Sequence, residues 1–281
     1  GWNISKEDFM ANSGFSNLKL RASWGKTGNQ EIPSKITKAS YSEDRLATGG
    51  GSLSTYPIDT DANSLDGYPY GIVFTRLANP NLQWEVSTQF DLGIDFAVFN
   101  NRLTGTVDYF NKVSSNILLE VVPADPVQPT STYWNNIKDM KIHNSGFELG
   151  LNYHSEESRD FSYSIGGNIT FIHNEVKDSP YSVLTTGAAQ GAGQTGATIN
   201  GYINNEPIGA FYMLQFDGIG EDGLNKFKDI NGDGAVLDND RSVVGSAIPK
   251  SIYGIQMNFR YKSFDLGMNF NGTSGSKIYN H

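Results

Sequence analysis

The sequence predicts an all-β, antiparallel fold, a segment of a transmembrane β-barrel. Three observations predict it: long runs of strict apolar/polar alternation, a strict succession of short and long connections, and aromatic residues at the ends of the runs. A period of two is the signature of a strand, because successive side chains point to opposite faces.

The first run is "LKLRASWG" at 18–25. In the second, 88–99, Phe90, Leu92, Ile94, Phe96 and Val98 face one way, and Gln89, Asp91, Gly93, Asp95 and Ala97 the other. The run at 102–114 follows. In 146–155, Phe147, Leu149, Leu151 and Tyr153 oppose Glu148, Gly150 and Asn152; in 160–172, Phe161, Tyr163, Ile165, Ile169 and Phe171 oppose Ser162, Ser164, Asn168 and Thr170. Two more runs, 252–262 and 264–273, set Tyr253, Ile255, Met257, Phe259 and Tyr261, then Phe264, Leu266, Met268 and Phe270, against polar residues and glycines.

Alternation alone fits both a soluble sandwich, which hides its apolar face, and a membrane barrel, which shows it to lipid. Connection lengths separate them. Asn100-Asn101, "EESR" and Ser263 are short links, whereas 26–87, 115–145 and 173–251 are long. If the strands run up and down, every long segment leaves one end and every short turn the other, the asymmetry of an outer-membrane barrel. Strands of about ten residues fit a tilted crossing of the hydrocarbon layer. Tyr153, Phe161, Phe171 and Tyr261 are expected in interfacial girdles, and Trp24 and Trp84 as interfacial anchors. The layout has about seven strands, where single-chain bacterial barrels have an even number, so a fragment is expected.

Composition agrees. Among 281 residues, 31 glycines, 14 tyrosines and 16 phenylalanines suit strands and turns. The net charge of -9 argues against nucleic-acid binding, which wants a basic face. No apolar run is long enough for a membrane-spanning helix, no signal peptide opens the sequence, and the absence of cysteine removes thiol chemistry without identifying a compartment.

One loop carries metal-ligand spacing. "DINGDGAVLDND", 229–240, places Asp229, Asn231 and Asp233 on alternate positions, then Gly234, the Ala235 carbonyl and a closing Asp240, the oxygen-only pattern that wraps Ca2+. The same residues are also the commonest turn formers, and a turn cluster without an ion is the alternative. Glycines upstream and a proline followed by alternation downstream leave no flanking helices, so a sensor that works by changing an interhelical angle is excluded.

Together "LKLRASWGKTGNQ", "NPNLQWEVSTQFDLGIDFAVFNNRLTGTVDYF", "NSGFELGL", "EPIGAFYMLQFDGI", "DINGDG" and "YKSFDL", in that order and across nearly the whole chain, resemble the SusC/RagA-like TonB-dependent outer-membrane transporters. The resemblance implies a barrel of about 22 strands around a plug. It also implies a SusD-like lipoprotein lid, import of oligosaccharides or peptides, energy from the TonB complex through the N-terminal part, and a Gram-negative outer-membrane location. Residues 1–281 would then be a partial barrel domain lacking the plug and the N-terminal barrel half. The 229–240 loop would lie in an outward-facing segment as a calcium-stapled structural loop.

Competing chemistry is thinner. "GAGQTG" at 191–196 fits Gly-x-Gly-x-x-Gly, but no helical period follows to receive a phosphate, and a loop is expected. His143, His154, His173 and His281 lack metal or triad spacing, and Glu156 with Glu157 reads as a solvated turn. Trp134, in "STYWNN", is a candidate for stacking on a sugar or for packing on its own scaffold. "SKED" at 5–8 predicts a short helix capped by Ser5. No nucleophile, base and oxyanion set can be assembled, so no enzyme is expected. The alternative function is a soluble, carbohydrate-binding β-sandwich with a calcium loop.

Overall fold

The computed structural model describes residues 1–32, 34–44, 71–121, 133–156, 160–188 and 198–279. The "GAGQTG" motif, Glu157 and His281 lie outside them. The chain divides into two compact units, Gly1–Thr27 with Ser87–Ser115 and Asp139–His281, and Gly28–Val86 with Asn116–Lys138.

The first unit is built on one eight-stranded sheet. Its strands are Trp2–Asn3, Phe15–Gly28, Val86–Val98, Leu103–Ser115, Lys141–His154, Phe161–Lys177, Ser251–Tyr261 and Phe264–Ser274, neighbours in that order. The seven long strands coincide with the seven alternating runs, and Trp2–Asn3 adds an eighth by pairing with Leu20 and Lys19.

The pairing register sorts the residues into a mostly polar and a mostly apolar face. Across four strands, Val107, Leu149, Ile169 and Tyr253 share a row, and one residue further along each strand, Asp108, Glu148, Thr170 and Ile252 begin the opposite side. Further down the polar side run Thr106, Gly150, Asn168, Gly254 and Asn271, then Thr104, Asn152, Gly166, Gln256 and Asn269. The apolar side carries Leu151, Gly167, Ile255 and Phe270, then Tyr153, Ile165, Met257 and Met268.

Nothing among the described residues covers that apolar face. Ile94 is 41%, Phe147 56% and Leu266 56% exposed, while the buried apolar residues, such as Ile36, Ile117, Met140, Val176 and Phe211, lie almost entirely outside the alternating stretches. A sandwich would show the reverse, so the sandwich expectation is overturned. The apolar band has the right height for a bilayer. From Phe161 to Phe171 the strand rises roughly 33 Å at 3.3 Å per residue, or about 25 Å along the normal at a tilt of about 40°. Above Phe171 the same face turns polar with His173, Glu175 and Lys177, each paired in register with Ser145, His143 and Lys141.

Turns at the short end follow from local chemistry. Asn100 (φ 56°) and Asn101 (φ 65°) both take the left-handed conformation that a two-residue hairpin demands, and Arg102 N donates to Phe99 O at 3.1 Å. Lys262 (φ 54°) opens the other tight link. The expected helix at 5–8 is replaced by two single 3-10 turns, Ile4–Lys6 and Asp8–Met10; Ser5 lies inside the first, and its hydroxyl donates to Asn3 Oδ1 at 2.8 Å instead of capping. The N-cap of that turn is Asn3, so Ser5, inside the turn, is not placed to accept from its first N–H groups.

The long segments are not featureless loops. Within the first unit, Leu184–Ala188, Thr198–Tyr202, Ala210–Met213 and Ser242–Gly245 form a four-stranded sheet, and Phe216–Ile219 pairs with Asn225–Phe227. The four-stranded sheet is tied to the end of Phe161–Lys177, where Val176 N donates to Glu206 O at 2.9 Å and Ile208 N to Asn174 Oδ1 at 2.7 Å. The second unit pairs Ser40–Asp44 with Gly71–Arg76 and Leu118–Val121 with Tyr133–Asn136, around Ile36, Ile117, Leu118, Val121 and Ile137.

Candidate functional site

The polar face of the sheet divides by chemistry. On Phe15–Gly28, Val86–Val98 and Leu103–Ser115 it is charged. Arg21 Nε and Nη2 donate to the two oxygens of Asp95, each at 2.8 Å, and Nη2 also reaches Asp108 at 2.8 and 3.1 Å. One guanidinium therefore ties three neighbouring strands, a use that its rigid fork suits better than a lysine would. Gly93 makes this possible: a Cβ there would stand 2.1 Å from Asp108 Oδ1 and 2.8 Å from Arg21 Nη2, so the cluster occupies the space of the missing side chain. Beside it, Asp91 accepts from Ser23 Oγ and Gln89 Nε2, both at 2.8 Å.

On the next four strands the polar face is mostly amide, hydroxyl and glycine. A Cβ at Gly166 would meet Asn152 Oδ1 at 2.3 Å and Gln256 Nε2 at 3.0 Å, which shows neighbouring amides lying flat across the glycine. Apart from a few apolar residues such as Phe110, Ile172 and Ile252 toward the long-segment end, the face is water-compatible, as the inside of a barrel must be.

The 229–240 loop is closed by its own carboxylates. Asp240 is wholly buried, and its Oδ1 accepts from Ile230 N (2.8 Å) and Asn231 N (3.2 Å), its Oδ2 from Leu237 N (2.8 Å). The Leu237 N–H, then those of Asn231 and Ile230, hold the Asp240 carboxyl below the usual range, against an opposing contribution from burial. Asp229 accepts from Gly232 N at 2.6 Å and Gly234 N at 2.8 Å, and Gly234 takes the positive φ, 87°, that the spacing predicts for a sharp turn. Asn231 Oδ1 accepts from Asp233 N, and Asp233 Oδ1 from Ala235 N. The donor set is oxygen-only, which suits a hard cation. Yet among the described residues no three carboxylates or imidazoles are gathered as one metal-binding group. In the form described here the loop satisfies its carboxylates with backbone N–H groups.

Trp134 sits in the Tyr133–Asn136 strand, half-buried and opposite Glu120, and its carbonyl accepts from Asn79 Nδ2 at 3.1 Å. Glu156 is exposed and pairs with Arg102, which also donates to Tyr153 Oη at 2.7 Å. Trp24 is exposed on the apolar side of its strand, and the Trp84 ring lies over Gly28, where a Cβ would be 3.0 Å from it. The Arg21 cluster was not foreseen. Its partners are 74 and 87 residues away, and the only local hint was acidic residues on the polar parity of 88–99.

Comparison with known families decides what this wall belongs to. Residues 10–280 match the family described as TonB dependent receptor-like, beta-barrel. The chain belongs to the TonB-dependent receptor β-barrel family. Among curated relatives it is 30% identical over 301 residues to TonB-dependent receptor P3 of Formosa agariphila, covering all of this chain and 28% of that protein. It is 26% identical over 295 residues to TonB-dependent receptor SusC of Bacteroides thetaiotaomicron, covering 99% of this chain and 27% of SusC. Among solved structures, the RagAB peptide transporter superposes with a TM-score of 0.73 at 18% identity, over 98% of this chain and 28% of that one, a likeness of fold. The chain thus spans little more than a quarter of the length of these relatives. TonB-dependent receptors are outer-membrane receptors and transporters of Gram-negative bacteria, not a family of enzymes, and the uncovered apolar band is what such a wall presents to lipid.

Proposed function

We propose that this chain supplies barrel wall and outward-facing segments to a TonB-dependent importer of the Gram-negative outer membrane. The importer takes up oligosaccharides or peptides together with a SusD-like surface lipoprotein, and the TonB complex acts through a part of the protein outside this chain. The observation that carries the reading is the eight-stranded sheet with one face mostly polar and the other apolar and uncovered. A likeness of fold to a peptide transporter is in keeping with the peptide class, and the oligosaccharide class comes from the SusC/RagA-like resemblance of the sequence. The short turns are assigned to the periplasmic end and the long segments to the outside. Trp134 is put forward as a ligand contact.

The test is a deletion strain grown on neutral oligosaccharides, acidic oligosaccharides and a peptide digest as separate carbon sources. Growth should fail on at least one of them and return with the intact gene, and only while TonB is present. Growth unchanged on every source would refute the reading.

The 229–240 loop is proposed to take calcium, with Asp229, Asn231, Asp233, Asp240 and the Ala235 carbonyl as oxygen donors, the ion replacing N–H donors and fixing loop shape. In the whole transporter, chelation should increase protease cutting within 217–251, and Asp229→Ala should abolish the calcium effect. Identical cleavage with and without calcium would leave the turn cluster alone.

A further inference from the structure

On the lipid side of the wall the side chains change character in ordered rows above the last aromatic row. That row is Tyr109, Phe147 and Phe171, with the first two rings 5.1 Å apart. Next come Asn111, Ser145 and His173, then Val113, His143 and Glu175, and last Lys141 beside Lys177. In the first polar row His173 is 67% exposed, and Asn111 Oδ1 has no hydrogen-bond donor among the described residues. In the last row two lysines stand directly opposite each other, an arrangement that destabilises a strand pair unless an anion joins them. Glu175 lies 3.1 Å from Lys177 but is shared with His173 at 3.6 Å, and Asp178 is 3.9 Å from Lys141, beyond hydrogen-bond reach. Both ammonium groups therefore keep donors for an anion.

The height of the rows selects the occupant. At a rise of 3.3 Å per residue and a tilt of about 40°, His173 stands about 5 Å beyond Phe171 along the membrane normal, and Lys177 about 15 Å. A phospholipid headgroup layer is only about 5 to 7 Å deep on each side of the hydrocarbon, so it reaches His173 and stops short of the lysines. A lipid that meets both must carry sugars outward from its acyl chains and bear negative charge on them. These rows lie at the long-segment end, the outside in the reading above, and what rests against them stands in the same leaflet. We propose that the rows from Asn111, Ser145 and His173 up to Lys141 and Lys177 seat the anionic saccharide headgroup of an outer-leaflet glycolipid. Its sugars meet the hydroxyl-bonding row, and its phosphate or carboxylate groups meet the lysines. This rests on the orientation proposed above and adds a lipid site to it.

The experiment titrates the purified whole transporter in detergent, read by native mass spectrometry, with three probes. They are lipopolysaccharide truncated to lipid A and its inner-core sugars, lipid A alone, and phosphatidylglycerol. Lys141→Gln with Lys177→Gln should weaken binding of the first roughly tenfold, as loss of charge-assisted hydrogen bonds does, and leave the other two unchanged. Lys262→Gln, which removes a cation at the short-turn end, should leave all three as in the wild type. If the double variant does not fold, judged by heat-modifiable migration, Lys141→Gln decides alone, with a smaller loss of the same selectivity. Equal binding of the core-bearing glycolipid by wild type and variants would overturn the seat. An equal loss for all three probes would overturn the saccharide as what the lysines recognise. Orientation is read separately: a membrane-impermeant maleimide should label Asp178→Cys on intact cells. Absence of that labelling would overturn the orientation, and the outer-leaflet assignment with it, even where the purified protein still binds the glycolipid.

Discussion

Replacing Ile94 by arginine, beside replacing Asp95 by asparagine, separates the two faces of the wall on adjacent residues. Ile94 is the middle of the five apolar outward residues Phe90, Leu92, Ile94, Phe96 and Val98, 41% exposed on the apolar side. Ile94→Arg therefore places a charge near the bilayer midplane, at a cost of roughly 2 to 4 kcal/mol. Asp95 points the other way and holds Arg21 through two bonds of 2.8 Å, but Arg21 keeps Asp108 when Asp95 is lost. The guanidinium is not stranded, and the pair is partly exposed, with side chains at 38% and 25%. Asp95→Asn should therefore cost only about 1 kcal/mol. Denaturant unfolding of the whole transporter in lipid vesicles compares them. Equal, small losses would mean that Ile94 does not meet lipid, and the reasoning from face to environment would fail.

Gly93→Ala should cost about 1 to 3 kcal/mol, more than Asp95→Asn, because its Cβ must displace both Arg21 and Asp108; the same unfolding assay checks it. The 229–240 loop should resist acid: because Asp240 is held below its ordinary value, its contribution is complete above the unfolded carboxylate value of about 4 and is lost only as pH falls below that. Pepsin cutting within 217–251 should therefore rise steeply only in that acid range, and Asp240→Asn should flatten the profile. The isolated 281-residue chain, with its uncovered face, should associate in plain buffer and disperse in detergent; a monodisperse monomer by sedimentation without detergent would count against a lipid-facing surface.

The strands were legible because the lipid/water boundary is written residue by residue in their alternation. The run expected at 88–99 is Val86–Val98, and that at 264–273 is Phe264–Ser274. Phe15–Gly28 extends the expected 18–25 at both ends, and two further strands outran the pattern at one shared end. Phe161–Lys177 passes the expected 172, and Lys141–His154 begins before 146, because His173, Glu175, Lys177, Lys141 and His143 stand above the apolar band, where the outward face no longer meets hydrocarbon. The apolar pattern therefore reports the membrane, and the strand continues past it. Leu184–Ala188 and its three partners were missed for a related reason: they are short, and no single solvent or lipid face imposes a period on them. In the 229–240 loop the spacing correctly marked Gly234 as the turn. It was silent on Asp240 as the clasp for three N–H groups, which depends on how the chain closes back on itself.

The most direct test of the account is accessibility along Lys141–His154. Spin labels placed one at a time from 147 to 152 in the whole transporter, reconstituted in vesicles, should show high oxygen accessibility at Phe147, Leu149 and Leu151, and low at Glu148, Gly150 and Asn152. Values without that period, or highest at 148, 150 and 152, would contradict a wall whose apolar face meets lipid.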